Sequence, residues 1–175
     1  SEMLSQLPIP VCDKGYLPPA RQGIHCTGAS FVPGDAGTDE RAVEHGHNME
    51  MLQHALPNLD LTLGDNDWQG HVALRCNSND YLPIAGMVPV LDIFNQRYDR
   101  IRHDRKQIID APAPIRPGLA VLTSLGSRGL SAAPLAAELL VDQLLGTLPP
   151  APRYLQRAIA PARFAERALK RGTPL

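Results

Sequence analysis

Arg75 closes the run His71-Val72-Ala73-Leu74-Arg75. In a strand this alternation puts Val72 and Leu74 on one face and His71, Ala73 and Arg75 on the other. Arg75 is then either a solvated surface cation or a group in a cavity. In a cavity, its planar guanidinium can hold a carboxylate through two parallel hydrogen bonds. Tyr16, after Gly15, is open to a similar choice: a core aromatic or a hydroxyl lining a pocket. A second candidate is the stretch Leu125, Gly126, Ser127, Arg128, Gly129 and Leu130. Its two glycines let the backbone turn sharply and approach another group closely. The turn feeds an apolar helix, whose first N–H groups have no partner inside the helix and can hold partial negative charge. A plain strand–turn–helix core unit needs the same residues.

Other chemistries find less support. His45, His47 and His54 lie among Glu44 and Glu50. On a helix, residues two apart point to nearly opposite sides, so His45 and His47 cannot share a metal; no metal site is expected. Ser127 lies in LGSRG, which is not the GxSxG of a nucleophile elbow, and nothing marks a triad histidine. Cys12, Cys26 and Cys76 are odd in number and widely spaced, which argues for a reducing compartment rather than a disulfide framework or zinc site. No role for Cys76 beside Arg75 follows from spacing.

These residues need elements to position them. Residues 1–10 read as a linker. Val11 to Leu17, interrupted by Asp13-Lys14-Gly15, and Ile24 to Phe31 read as a hairpin with a long loop. Thr38 and Asp39 can cap a helix running to about Leu56. Leu59 to Leu63 is a short alternating segment, followed by a turn at Gly64 to Asp67. After the His71–Arg75 strand come a turn at Asn77-Ser78-Asn79-Asp80 and a short extended piece, Leu82 to Gly86. Val88 to Asp110 is poorly patterned, and Ala111 to Pro117 is a proline-rich connector. Leu119 to Leu125 reads as a strand buried on both faces. The following helix has Ser131 as N-cap, Pro134 in its first turn and Gly146 as its stop, and only Glu138, Asp142 and Gln143 break its apolar surface. Two basic helices separated by Pro161 end the chain. The sum is an α+β pattern. A buried parallel-type strand with an apolar helix fits it poorly, and this suggests a piece of something larger.

The bulk numbers agree with one domain's worth of globular chain: 175 residues, 43% hydrophobic and 20% charged. The net charge of -1 is uneven. Arg153, Arg157, Arg163, Arg167, Lys170 and Arg171 stand against Glu166 alone, so this tail carries +5 and the remainder -6. Either a solvated helix face or an anionic partner explains it. No segment approaches eighteen consecutive apolar residues and no signal-peptide pattern begins the chain, so a cytoplasmic protein without a membrane span is expected.

Four blocks in order, GYLPP (15–19), IHCTGASF (24–31), ALRCNSNDYLPIAG (73–86) and LGSRGLSAAPLAAELL (125–140), resemble the C-terminal part of the MnmC family. These are bifunctional tRNA wobble-uridine modification enzymes. That part is an FAD-dependent oxidoreductase module related to glycine and D-amino-acid oxidases. The resemblance implies a D-amino-acid-oxidase-like fold. Residues 11–118 would supply the substrate-binding part with its antiparallel sheet. Residues 119–146 would be the last strand–turn–helix of the FAD domain, and 147–175 the basic C-terminal helices. It implies that Leu125 to Leu130 lie against the flavin, that Arg75 binds the substrate carboxylate and that Tyr16 lines the same pocket. The implied reaction passes a hydride from the glycine-like α-carbon of carboxymethylaminomethyluridine to flavin N5, leaving an imine that water hydrolyses to aminomethyluridine and glyoxylate. The tail cations Arg153, Arg157, Arg163, Arg167, Lys170 and Arg171 would contact tRNA phosphates.

The family's GxGxxG fingerprint is absent here, as is its methyltransferase half. FAD and tRNA are therefore expected as partners of a longer polypeptide that supplies the missing FAD-binding and methyltransferase parts, while the isolated piece is expected to be inactive. Two alternatives stand beside this: an oxidase of glycine or sarcosine, and a non-catalytic RNA-binding domain.

Overall fold

The computed structural model describes residues 2–58, 68–107 and 111–173. The expected segment Leu59–Leu63 and the turn at Gly64 to Asp67 lie outside the described residues. The chain forms two compact units, Ser1–Leu74 and Arg75–Leu175.

In the first unit a short helix α1 (Glu2–Ser5) precedes a two-stranded hairpin, β1 (Val11–Cys12) and β2 (Tyr16–Leu17). Val11 pairs with Leu17 and Cys12 with Tyr16. The hairpin thus lies wholly within the segment read as one interrupted strand. Asp13-Lys14-Gly15 is its turn, closed by Asp13 N donating to Gly15 O at 2.9 Å. Residues 24–31 were expected as the second strand and instead make isolated bridges, Tyr16 to Gly28 and Arg21 to Ile24. Gln22 and Gly23 both have positive φ, 56° and 78°, the signature of a type I′ turn. The Arg21–Ile24 bridge closes this turn without extending into a ladder.

Helix α2 (Ala42–Ala55) begins three residues after the expected cap. The carboxylate of Asp35 accepts from Gly37 N at 2.7 Å and pairs with Arg41 at 2.6 Å, which ties residues 35–41 into a loop. Leu17 and Leu52 are the buried large apolar residues of this unit among those described. His71 to Arg75 forms no strand; a lone extended segment has no ladder to satisfy its backbone.

The second unit is built on one antiparallel pair, β3 (Ile84–Pro89) with β4 (Ile115–Thr123). Ile84 pairs with Thr123 and Gly86 with Val121, and the register shifts between Met87 and Pro89. β4 therefore starts four residues earlier than expected and is antiparallel, with Leu119 46% exposed rather than buried on both faces. The poorly patterned Val88–Asp110 stretch hides the main core. Helix α3 (Leu91–Arg97) and a 3₁₀ turn (Asp99–Arg102) present Phe94, Tyr98 and Ile101 on one side. These pack with Ala165 and Leu169 of α6 (Ala162–Arg171). Phe94, Ile101 and Leu169 each contribute about 1.5–3 kcal/mol on burial. Tyr98 keeps its hydroxyl satisfied by donating to the carbonyls of Ala111 and Pro112 at 3.0 and 2.8 Å.

Helix α4 (Gly129–Leu145) covers the β3–β4 pair with Ala136 and Leu139 buried. It starts at Gly129, so Ser131 lies inside the helix and is not its N-cap. Pro134 then falls in the second turn and removes the N–H that Leu130's carbonyl would otherwise receive. Gly146 does terminate the helix, in the left-handed conformation at φ 71°. The helix is not mostly buried: Leu130, Leu144 and Leu145 are exposed, Leu130 at 99%. Helix α5 (Arg153–Ile159) follows. At the corner between α5 and α6, Pro161 approaches Gly86 so closely that a Cβ there would sit 3.0 Å from Pro161 Cδ.

Candidate functional site

β4 ends at Thr123, and the backbone then turns on two left-handed residues, Ser124 at φ 56° and Gly126 at φ 59°. For a buried serine this conformation is strained, and such strain collects where a backbone must be held in one place. A short 3₁₀ turn (Gly126–Arg128) leads into α4. No side chain caps the first N–H groups of α4. In front of them is an open groove of about 690 Å³ lined chiefly by Leu122, Leu125, Gly126, Gly129, Leu130 and Ala133. A planar, largely apolar ligand with an electron-rich edge fits such a surface: apolar walls for its faces and backbone donors for its edge.

Arg75 stands at this turn. Its Nη1 donates to Ser127 Oγ at 2.9 Å, joining the two stretches that the sequence singled out. The next residues run alongside. Gly126 N donates to Cys76 O at 3.2 Å, and Asn77 bridges to Leu125. Cys76 Sγ lies 3.4 Å from Ser124 Oγ and 3.7 Å from Thr123 Oγ1. The Ser124 hydroxyl, with help from Thr123, lowers the thiol's pKa below its ordinary value. Gly126 has no room for a side chain: a Cβ would be 2.5 Å from Asn77 Oδ1. Sequence reasoning missed Ser124 and Asn77. A strained φ in a serine leaves no mark in composition, and the contacts of Asn77 span some fifty residues.

Tyr16 lies in the first unit and is 44% exposed. Its backbone N–H donates to Gly28 O at 2.9 Å, and its hydroxyl lies 3.8 Å from where a Gly28 Cβ would stand. His45 and His54 each face a separate carboxylate. His54 pairs with Asp13 at 3.0 Å, His45 with Glu40 at 3.4 Å, and no group of three metal-ligating side chains occurs among the described residues.

The tail cations divide. Arg163 is 5% exposed and all five of its N–H donors are engaged. Nε and Nη2 donate to the Asp80 carboxylate at 2.9 and 3.0 Å, and Nη2 also donates to Leu82 O at 3.1 Å. Nη1 donates to Ile159 O at 2.9 Å and Ala160 O at 3.3 Å. Arg167 also pairs with Asp80, and Lys170 pairs with Glu166. The expectation that Arg163 reaches phosphate is corrected here: its guanidinium is committed inside the fold. Arg153, Arg157 and Arg171 are exposed. No helix among the described residues is long and apolar enough to cross a membrane.

No family model matches the chain. Curated relatives do. The protein named tRNA 5-methylaminomethyl-2-thiouridine biosynthesis bifunctional protein MnmC in Aeromonas salmonicida is 38% identical over 98% of this chain and 26% of its own length. Its namesake in Shewanella amazonensis is 37% identical over 98% of the chain and 27% of its length. The Methylobacillus flagellatus protein of that name is 40% identical over 91% of the chain and 24% of its length. The chain thus spans about a quarter of the curated relatives it matches.

Proposed function

We propose that this chain is the part of a bifunctional tRNA-modifying protein that carries the substrate-carboxylate anchor and one flavin-facing turn of an oxidoreductase. The observation that carries the reading is the Arg75–Ser127 contact. It brings a guanidinium, a group suited to gripping a carboxylate, to a glycine turn whose helix has no side-chain N-cap. In this reading Leu125 to Leu130 would hold FAD, the groove walls offering apolar contact and the N-terminus of α4 offering partial positive charge to an electron-rich group. When bound, the flavin accepts the two electrons and hydrogen leaving a carbon next to an amine.

The chain's own residues then hold the substrate. Arg75 Nη1 donates to Ser127 Oγ, and in this reading the guanidinium receives the carboxylate of an N-substituted glycine such as carboxymethylaminomethyluridine. Arg153, Arg157 and Arg171 offer phosphate contacts to tRNA, in a cytoplasmic setting. The test places this chain in the corresponding quarter of the Aeromonas salmonicida relative. An active chimera should release glyoxylate from carboxymethylaminomethyluridine-bearing tRNA, and Arg75→Ala should lower kcat/KM about 100-fold or more, as loss of a charge-assisted bidentate contact does. Unchanged kinetics would remove Arg75 from the site.

A second reading, oxidation of a free glycine-like amino acid, gains from the inward commitment of Arg163 and Arg167, which weakens the case for a phosphate-binding tail. Turnover of sarcosine at a rate matching the tRNA substrate would select it.

A further inference from the structure

The segment from Arg75 to Leu82 is fastened at both ends. At its start, Arg75, Cys76 and Asn77 are tied to the Ser124–Ser127 turn by the contacts given above. Its far end is a knot centred on Asp80. Ser78 Oγ shares its one proton between Leu82 O at 2.6 Å and Asp80 Oδ1 at 2.8 Å, and Leu82 N donates to that Asp80 oxygen at 3.2 Å. Arg163 and Arg167, one turn apart on α6, grip the carboxylate from the other side. Ser78 is buried, and Tyr81 between them is held at φ 58°. A single carboxylate therefore accepts from one hydroxyl, one backbone N–H and two guanidinium groups. That is more than a turn needs to close.

We propose that Asp80, Arg163 and Arg167 form a positioning clamp, through which helix α6 sets the placement of the Arg75–Asn77 backbone against the Gly126 turn. The residues between the two anchors are too few to absorb a shift: Asn77 to Asp80 spans at most about 10 Å fully extended. If the carboxylate moves, the Cys76 carbonyl moves with it and the Gly126 N–H loses its acceptor. Arg75 shares that backbone. A displacement of about 1 Å at an anchoring group costs on the order of 100-fold in rate. The role of Arg75 in catalysis rests on the function proposed above; the clamp itself does not.

Amide exchange by NMR on the ¹⁵N-labelled chain tests the clamp without any substrate. Gly126 N reports the contact across the turn, and Phe94 N, which donates to Val90 O at 2.8 Å, reports the core packed on α6. Asp80→Asn should raise exchange at Gly126 by about 10-fold or more while Phe94 stays within about twofold. Exchange at Gly126 unchanged, or rising in step with Phe94, would overturn the proposal, since the cluster would then serve only to hold α6 in place. Arg167→Ala removes one half-exposed partner and leaves the Arg163 pair intact, so it decides the matter if Asp80→Asn fails to fold: a selective rise at Gly126, smaller than tenfold, supports the clamp and none overturns it. In an active chimera, Asp80→Asn should lower kcat/KM for tRNA by about 10-fold or more. Selective exchange at Gly126 with kcat/KM unchanged would overturn the positioning role while leaving the Arg75 reading intact; loss of the Arg75→Ala effect would sink that reading while leaving the exchange result standing.

Discussion

Asp80 is held in its charged form by the Arg163 guanidinium first, then by Ser78, Arg167 and the Leu82 N–H, well below the usual carboxylate range. A folded-state pKa below the unfolded one adds stability that is fully present above the unfolded value, about 4, and is lost as pH falls below it. Urea titrations should therefore show constant stability of the second unit from about pH 5 to 7 and a decline below about pH 4, and Asp80→Asn should flatten the decline. A variant with the same acid limb as the parent would show that other carboxylates set it. Arg163→Ala should cost about 3–5 kcal/mol, since it leaves a largely buried carboxylate without its main partner. An exposed pair such as Arg102–Asp99 should cost no more than about 1 kcal/mol. At this scale the sequence was legible in part. Arg75 stood out because its residue type is chemically specific. Asn77-Ser78-Asn79-Asp80 read only as a turn, because the arginine partners of Asp80 lie more than eighty residues on and local spacing carries no trace of them.

Among elements, the glycine turn was legible and the core was not. Gly126 and Gly129 announce a sharp turn by their lack of side chains, and Gly126 does sit at positive φ against Asn77. Gly126→Ala meets both the left-handed penalty of about 1–2 kcal/mol and the clash with Asn77, so it should destabilise by about 2 kcal/mol or more in thermal melts. Full stability in that variant would mean that the turn relaxes freely. Phe94, Tyr98 and Ile101 follow helical spacing, but Asp92, Arg97, Asp99, Arg100 and Arg102 crowd the same stretch and mask it. The core is half helix α3 and half α6, and neither half shows a full apolar stripe alone. Ile101→Ala, at 1% exposure, should cost about 2–5 kcal/mol, whereas Leu130→Ala, at 99%, should cost little in this chain. The strand–helix mismatch that the sequence suggested takes a different form: β4 is paired antiparallel with β3, and it is α4 that keeps an apolar face uncovered.

Across the whole chain, the charge asymmetry and the folded positions of the cations give different numbers for nucleic-acid binding. The sequence offers six basic residues from Arg153 to Arg171, and six phosphate contacts would give a log–log salt slope of about -5. Folding spends three of them internally, Arg163 and Arg167 on Asp80 and Lys170 on Glu166. A buried guanidinium with all its donors engaged releases no counterion from a phosphate. Arg153, Arg157 and Arg171 are exposed, and phosphate contacts from all three would give a slope of about -3. Filter binding of tRNA between about 50 and 300 mM salt measures this directly. Arg153→Ala and Arg171→Ala should each reduce the slope by about 1, while Arg163→Ala should leave it unchanged in any variant that stays folded. A slope near -5 that falls by one unit with Arg163→Ala would mean the Asp80 pair opens when RNA binds. A slope near zero would remove tRNA as the partner and favour a small amino acid as the substrate of this fold.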